Sequence, residues 1–208
     1  FIGKPAPDLD TLKQMHRQHL LSIPYENLDV QLQRPVDLDL QRSYTKIVEQ
    51  ARGGWCYEMN GLLEWALKET GFEVMRMTGG VRRAERGDHA FGNHLVLLVQ
   101  LDEAWIADVG FGDGAFEPVP LRPHRFAQRA FAYSLVRLGD CWRFHNRAGG
   151  GADSYDFRQC PADESLFAEK CAWLSRSEDS PFVQTLTCQR FTPQGYDIQV
   201  GRVARQVT

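Results

Sequence analysis

The stretch RGGWCYEMN, residues 52–60, opens a helix-like run and places Cys56 at the start of that helix. Two glycines before the cysteine let the backbone approach a neighbour closely or adopt a positive φ. A thiol at a helix N-terminus lies near free backbone N–H groups and the positive end of the helix dipole, which both favour the thiolate. We therefore predict that Cys56 is a nucleophile with a lowered pKa. A buried structural cysteine is the alternative, since this residue type is often buried.

Two further residues could complete a nucleophilic site. His94 heads the apolar run HLVLLV, and Asp108 interrupts the run WIADV where an apolar residue is expected. A carboxylate in such a run is costly unless it is hydrogen-bonded, and a neighbouring imidazole N–H would satisfy it. Fourteen residues separate the two, which suits adjacent strands joined by a hairpin at 101–104. Cys, His and Asp would then be a nucleophile, a base and the group that orients the base.

Other interpretations of these residues stay open at this point. A histidine that opens a strand is more often a satisfied edge residue than a base, and His89 is a rival base without a matching carboxylate. The same Cys, His and Asp could bind zinc, but their long and irregular spacing argues against a metal site. The turn GFGDG at 110–114 resembles a phosphate cradle but lacks the Lys-Ser/Thr of a P-loop. We interpret it as a turn that brings Phe111 close to the site.

Composition limits the class of protein. The 208 residues allow one large domain or two small ones. A net charge of −3 with mixed signs along the chain argues against a nucleic-acid partner, and no apolar run is long enough to span a membrane. Five cysteines without a CxxC pair favour a reducing cytoplasm. We therefore expect a cytoplasmic protein; no signal peptide is visible, but the start at Phe1 gives that observation little weight.

Helical periodicity comes first along the chain and strand-like runs follow, which predicts an α+β fold. Helices are predicted at 10–21, 39–50 and 56–70, the last closed by Gly71, and a short one at 164–173. Strands are predicted at 72–77, 94–101, 105–109, 131–138, 141–145, 180–191 and 196–203, with a tight hairpin at Gly139-Asp140. Residues 82–92 are predicted to be a loop, and residues 146–165 to be irregular.

Several segments together resemble the arylamine N-acetyltransferase family. RGGWCYEMN resembles the active-site motif of that family, and the strand at His94 resembles the segment that carries its base. The other matching segments are IPYENLDV at 23–30, ADVGFG at 107–112 and SPFV at 180–183. The resemblance spans nearly the whole chain in the family's order, and the combination is far more specific than any single motif. Within that family, the chain resembles the bacterial N-hydroxyarylamine O-acetyltransferase type.

The resemblance implies a ping-pong acetyl transfer. Acetyl-CoA would acetylate Cys56, with His94 as the base and Asp108 as the group that fixes His94. An arylamine, arylhydrazine or N-hydroxyarylamine would then take the acetyl group. The backbone N–H of Cys56 is one natural donor to the oxyanion. An aromatic wall would come from Tyr25, Tyr57 and Phe111, for which plain core packing is the alternative.

The resemblance also implies an architecture. We expect a helical bundle at 1–71 that carries the nucleophile, a β-barrel-like domain at 72–165 that carries His and Asp, and the start of an α/β lid at 166–208, around a thiol-protease-like core. Arg52 and Glu26 would form an ion pair that fixes the cysteine loop. The chain stops where the lid should still develop, so no coenzyme A contact is assigned to a residue. Xenobiotic metabolism is the implied role, and a homodimer is compatible with it.

Three other functions share these features. A Cys-His-Asp hydrolase or a transglutaminase-like enzyme would use the same triad with water, a peptide or a protein amide. An amide synthase would use it with a larger acyl donor. A shortened chain could also bind aromatic ligands without catalysis. Formation of an acetyl-enzyme at Cys56 distinguishes acetyl transfer from hydrolysis and from simple binding.

Overall fold

The computed structural model describes residues 5–208, so the first four residues of the predicted helical domain lie outside it. Helices and strands follow one another in the α+β order that the sequence predicts. The helices are α1 Leu9–Ser22, α2 Leu28–Gln31, α3 Leu40–Tyr44, α4 Cys56–Thr70, α5 Arg83–Arg86, α6 Glu164–Arg176 and α7 Pro181–Gln184. The strands are β1 Tyr25–Glu26, β2 Glu73–Val81, β3 His94–Gln100, β4 Ala104–Ala107, β5 Val119–Pro120, β6 His124–Gln128, β7 Phe131–Leu138, β8 Cys141–His145, β9 Ser154–Arg158, β10 Thr187–Phe191, β11 Tyr196–Val200 and β12 Val203–Val207.

The predicted helix at 56–70 is confirmed at both ends. At its start, Glu58 accepts a hydrogen bond from the backbone N–H of Trp55 at 3.1 Å and so satisfies one of the first free donors. At its end, Gly71 adopts φ 98°, the left-handed conformation that closes many helices. The start of helix α1 is capped by a side chain as well, because the carboxylate of Asp8 accepts a hydrogen bond from the N–H of Thr11 at 2.8 Å.

The larger sheet has eight antiparallel strands in the order β5-β4-β3-β2-β9-β8-β7-β6. Strands β5 and β6 lie at its two edges, so the predicted barrel is an open half-barrel. The hairpin predicted at 101–104 joins β3 to β4 and sets Leu97 opposite Ala107. The hairpin predicted at Gly139-Asp140 joins β7 to β8, with Gly139 at φ 63°.

Strand β3 is buried on both faces, which explains its continuous apolar sequence. Leu95, Leu97 and Val99 pack into the cluster under the helices. Val96 and Leu98 point the other way, into a cluster inside the half-barrel. His94, the first residue of β3, therefore begins a strand that is enclosed on every side.

A smaller sheet joins the early part of the chain to its later part. Its order is β1-β10-β11-β12, and Tyr25 of β1 lies opposite Gln189 of β10. Tyr25 also forms an isolated bridge to Gly54, two residues before the cysteine. A strand from the predicted helical domain thus pairs with a strand from the predicted lid, and both lie beside the cysteine loop.

Three predicted segments were wrong in detail. Residues 146–165 are not all irregular, since they contain β9, whose Asp156 is fully buried between Arg83 and Arg143. The predicted strand at 180–191 begins with the short helix α7, because the side chain of Ser180 caps it and a proline opens it. The predicted loop at 82–92 contains α5 and a 3-10 turn.

Two more boundaries differ from the prediction. The helix predicted at 39–50 is α3 followed by a π-helical turn at Thr45–Glu49. The strand predicted at 196–203 divides at Gly201, whose φ of 55° allows the turn between β11 and β12. Within residues 5–208, no helix combines the length and the apolar content that crossing a bilayer requires.

Candidate active site

Cys56 is the first residue of α4 and lines a cavity of about 500 Å³. The two preceding glycines are needed for close approach. A Cβ on Gly53 would lie 2.3 Å from the carbonyl oxygen of Pro24, and a Cβ on Gly54 would lie 3.0 Å from Oε2 of Glu58. Gly110 also approaches closely, since a Cβ there would lie 2.7 Å from the Cα of Cys56. The turn at 110–114 therefore packs directly on the start of α4, as the sequence predicts for this turn.

His94 and Asp108 lie side by side under the cavity. Nε2 of His94 is 2.7 Å from Oδ2 of Asp108, and both side chains are buried. The β3–β4 hairpin brings them together, because His94 begins β3 and Asp108 directly follows β4. The bond at Nε2 leaves Nδ1 as the ring nitrogen that can exchange a proton in the cavity, which His94 also lines.

Asp108 is held ionised by its neighbours. Burial raises its pKa, but attraction to His94 and hydrogen bonds from His94, Asn60 and the N–H of Gly110 outweigh burial and leave the pKa below its usual value. Its Oδ1 accepts from Nδ2 of Asn60 at 2.8 Å and from the N–H of Gly110 at 3.0 Å. An ionised Asp108 accepts the Nε2–H of His94 and so fixes the tautomer in which Nδ1 is the base.

The thiol of Cys56 lies at the start of β3, with Sγ 3.8 Å from the carbonyl oxygen of Asn93. The expectation that the helix start lowers its pKa is wrong. Burial raises the pKa of Cys56, and the backbone N–H groups of Leu95 and Tyr57 offset only part of that effect. A lone thiolate is thus disfavoured here, and the ionised sulfur needs a base that takes its proton and stays beside it as a cation.

The three predicted wall residues have different places. Tyr25 and Phe111 line the cavity together with Cys56, and the Phe111 ring lies 5.7 Å from the His94 ring. Tyr57 points elsewhere, because residues i and i+1 of a helix do not share a face. Its hydroxyl donates to the carbonyl oxygen of Gly92 at 2.6 Å. Tyr57 therefore anchors the segment that leads into His94.

A network of charges supports the cysteine loop from behind. The predicted ion pair between Arg52 and Glu26 is present at 3.6 Å, but Asp29 is the closer partner of Arg52 at 2.7 Å. Lys46, which the sequence did not single out, lies 3.0 Å from Asp29 and 2.9 Å from Glu58. Glu58 in turn accepts from the backbone just before Cys56, so the network reaches the start of α4.

We expect Arg52→Ala to lower both stability and activity. Glu26 and Asp29 would lose one of their two cations and keep only Lys46, which costs about 2 kcal/mol in the free energy of unfolding. Denaturant unfolding measures this change. The matched control is Arg122→Ala, whose pair with Glu103 at 3.3 Å is exposed, so its effect should stay below about 0.5 kcal/mol. Equal and small effects in the two variants would contradict a supporting role for Arg52.

Three site residues were missed from the sequence. Asn60 belongs to the quoted motif and lies one helical turn after Cys56, but nothing in the pattern indicates its contacts. The ring of Tyr155 lies 5.0 Å from the His94 ring, on a strand that was read as irregular. Nε2 of His16 accepts a hydrogen bond from the N–H of Asp108 at 3.3 Å across a separation of 92 residues.

The cavity lining contains basic residues, including Arg82, Arg86 and Arg205. Arg82 donates to the carbonyl oxygen of Gly151 at 3.2 Å. For residues 5–208, the structure gives none of the three a carboxylate within 4.0 Å, and it contains no group of three or more His, Cys, Asp or Glu placed to hold a metal ion. These guanidinium groups could meet an anionic ligand.

Comparison with known proteins gives a consistent result. A family model described as N-acetyltransferase matches residues 8–203. The arylamine N-acetyltransferase of Escherichia coli is 35% identical over 206 residues, which cover 94% of this chain and 71% of that protein. The arylamine N-acetyltransferase structure from Salmonella typhimurium has a TM-score of 0.84 at 32% identity and covers 94% of this chain and 73% of that one.

The structure of the Mycobacterium marinum arylamine N-acetyltransferase in complex with CoA has a TM-score of 0.86 at 26% identity. The match covers 95% of this chain and 76% of that one. Sequence and fold therefore agree along nearly the whole chain. The chain belongs to the arylamine N-acetyltransferase family of acyltransferases.

Proposed function

We propose that the protein transfers an acetyl group from acetyl-CoA, through a thioester on Cys56, to an arylamine, arylhydrazine or N-hydroxyarylamine. One observation carries the proposal. His94, whose Nε2 lies 2.7 Å from the buried carboxylate of Asp108, lines the same cavity as a cysteine at a helix start. The related Mycobacterium marinum enzyme is described in complex with CoA, which supports coenzyme A chemistry in this chain.

In the first half-reaction, the Cys56 thiol gives its proton to Nδ1 of His94 as sulfur attacks the thioester carbonyl. Transfer of the proton to a neighbouring base avoids a lone buried thiolate, which burial disfavours. The backbone N–H of Cys56 can donate to the oxyanion that forms. When the intermediate collapses, the bond from the acyl carbon to the coenzyme A sulfur breaks, and the imidazolium returns its proton to that sulfur.

In the second half-reaction, the amine nitrogen attacks the acetyl carbon of the enzyme thioester. Arylamines are weak bases and are uncharged near neutral pH, so a lone pair is available. Nδ1 of His94 takes the proton from the nitrogen as the new C–N bond forms and delivers it to the departing sulfur of Cys56. The enzyme returns to its starting state, and Asp108 keeps His94 in the productive tautomer throughout.

The lining of the cavity suits both substrates. Tyr25 and Phe111 offer aromatic faces to the ring of an acceptor. Arg82, Arg86 and Arg205 offer guanidinium groups to the phosphates of coenzyme A. Tyr57 does not belong to this wall in our proposal. The cytoplasmic location, the homodimer and the role in xenobiotic metabolism stay predictions.

Intact mass measurement tests the proposal. After brief exposure to acetyl-CoA, the protein should gain the mass of one acetyl group, and peptide mapping should place it on Cys56. Addition of an arylamine should remove the group and produce the N-acetylarylamine. Cys160 is an exposed thiol and reports non-specific acetylation. Peptide turnover without an adduct would indicate a hydrolase, and an adduct from longer acyl-CoA only would indicate an amide synthase.

A further inference from the structure

Asn60 joins the three elements that carry Cys56, His94 and Asp108. It lies on α4, one turn after the cysteine, and is completely buried. Its Nδ2 donates to the carbonyl oxygen of Leu95 at 2.7 Å and to Oδ1 of Asp108 at 2.8 Å. One side chain thus connects the nucleophile helix to the strand of the base and to the orienting carboxylate.

The third contact determines the orientation of this amide. Oδ1 of Asn60 accepts the backbone N–H of Val109 at 2.9 Å, so the amide presents its two donors to the carbonyl and the carboxylate. At this fully buried position, the amide thus makes three hydrogen bonds, of which it donates two and accepts one. An ionised aspartate has no donor for the carbonyl oxygen of Leu95 and the carboxylate of Asp108, and leucine has no polar atom. Of these side chains of similar shape, only the carboxamide of asparagine makes all three hydrogen bonds.

We propose that Asn60 is a positioning residue for acetyl transfer, which holds Asp108 in the orientation and the ionised form that keep Nδ1 of His94 available as the base. This inference rests on the proposed function. Asn60 does not line the cavity within the part of the chain that the structure describes, so it acts through Asp108 and not by touching a substrate. Its loss should slow the chemistry and leave the affinity for acetyl-CoA unchanged.

Asn60→Asp is the decisive variant because it preserves shape and replaces a donor by an acceptor. Two carboxyl groups would then lie within hydrogen-bond distance and share one proton, which raises the pKa of the pair. Once both carboxyl groups ionise, the added negative charge also acts on the other titratable groups that face this carboxylate. In the native site those groups are His94, His16, Tyr155, Cys56 and Tyr25.

The experiment is single-turnover acetylation of the full chain by acetyl-CoA, followed by rapid quenching and mass spectrometry from pH 5 to 9. The wild-type adduct at Cys56 tests the proposed function by itself. For Asn60→Asp, we expect the acetylation rate constant at pH 7 to fall about 100-fold, a loss typical of a misplaced reacting group. We expect the acid limb of the profile, where the rate constant falls as the pH is lowered, to move to higher pH. The half-saturating acetyl-CoA concentration should stay the same.

Asn27→Asp is the matched control. Asn27 is also buried and also makes three side-chain hydrogen bonds, to Phe182, Thr185 and Thr187, and none of them involves the Asp108 carboxylate. Its variant should lose stability without a shift of the acid limb. If Asn60→Asp keeps the wild-type limb, or if its rate falls only with its folded fraction as in the control, Asn60 is structural and the inference is wrong. Asn60→Ser, which keeps a donor, should recover part of the rate.

Discussion

Cys56→Ala is expected to abolish acetyl transfer and to leave a folded protein. The side chain supplies the sulfur that carries the acetyl group in the proposed mechanism, so no thioester forms and both half-reactions stop. Removal of a nucleophile from a triad costs on the order of 10⁶-fold in turnover, and the residual rate reflects the oxyanion donors and binding. Steady-state acetylation of an arylamine measures the loss, and intact mass should show no acetyl adduct.

Cys56→Ser tests whether the reaction needs sulfur itself, because serine keeps a similar shape and replaces the sulfur by oxygen. A hydroxyl in the same buried place is harder to ionise than a thiol, and burial already raises the pKa of the thiol. We therefore expect a loss of at least several orders of magnitude for serine as well. Cys171→Ala is the matched control, because Cys171 is also buried on a helix but lies outside the cavity lining. Equal turnover by Cys56→Ala and wild type would end the proposal.

The sequence predicts those parts of the site that depend on residues close together along the chain. The helix at 56–70 is predicted with both boundaries because a glycine pair precedes it and Gly71 ends it. The pairing of His94 with Asp108 is predicted because a charge in an apolar run needs a partner and a hairpin turn lies between them. These inferences need only spacing and the cost of an unpaired buried charge.

The parts that were missed depend on contacts between distant segments. His16 meets the backbone of Asp108 across 92 residues, and Tyr155 reaches the His94 ring from β9, which is separated from β3 by β2. Strand β9 was missed because Asp156 breaks its apolar pattern. Two arginines from other elements form ion pairs with this buried carboxylate and stabilise its charge. No local pattern contains this information.

The pKa of Cys56 illustrates the same limit. A helix start favours a thiolate, and that effect can be read from the sequence. Burial opposes it, and burial depends on how the turn at 110–114 and the strand β3 close over the thiol. The opposing effect is larger here, so the proposed mechanism assigns the ionisation of sulfur to His94. Asp108 then becomes the residue on which the base depends.

Asp108→Asn is expected to keep the fold and to lower turnover about 10⁴-fold, because it forces the wrong tautomer on His94. The side-chain oxygen at the Oδ1 position must stay there, since it accepts from Asn60 and from the N–H of Gly110. The new amide NH₂ therefore takes the Oδ2 position, 2.7 Å from Nε2 of His94. Nε2 must accept from it, so the ring proton moves to Nδ1.

A His94 that carries its proton on Nδ1 cannot receive the proton of Cys56, so the acetylation step itself should fail. Single-turnover mass measurement should show slow adduct formation, while thermal unfolding stays close to wild type. Asp102→Asn removes the same charge from the exposed β3–β4 turn and should acetylate at the wild-type rate. An Asp108→Asn protein that acetylates as fast as Asp102→Asn would show that the carboxylate does not orient the base.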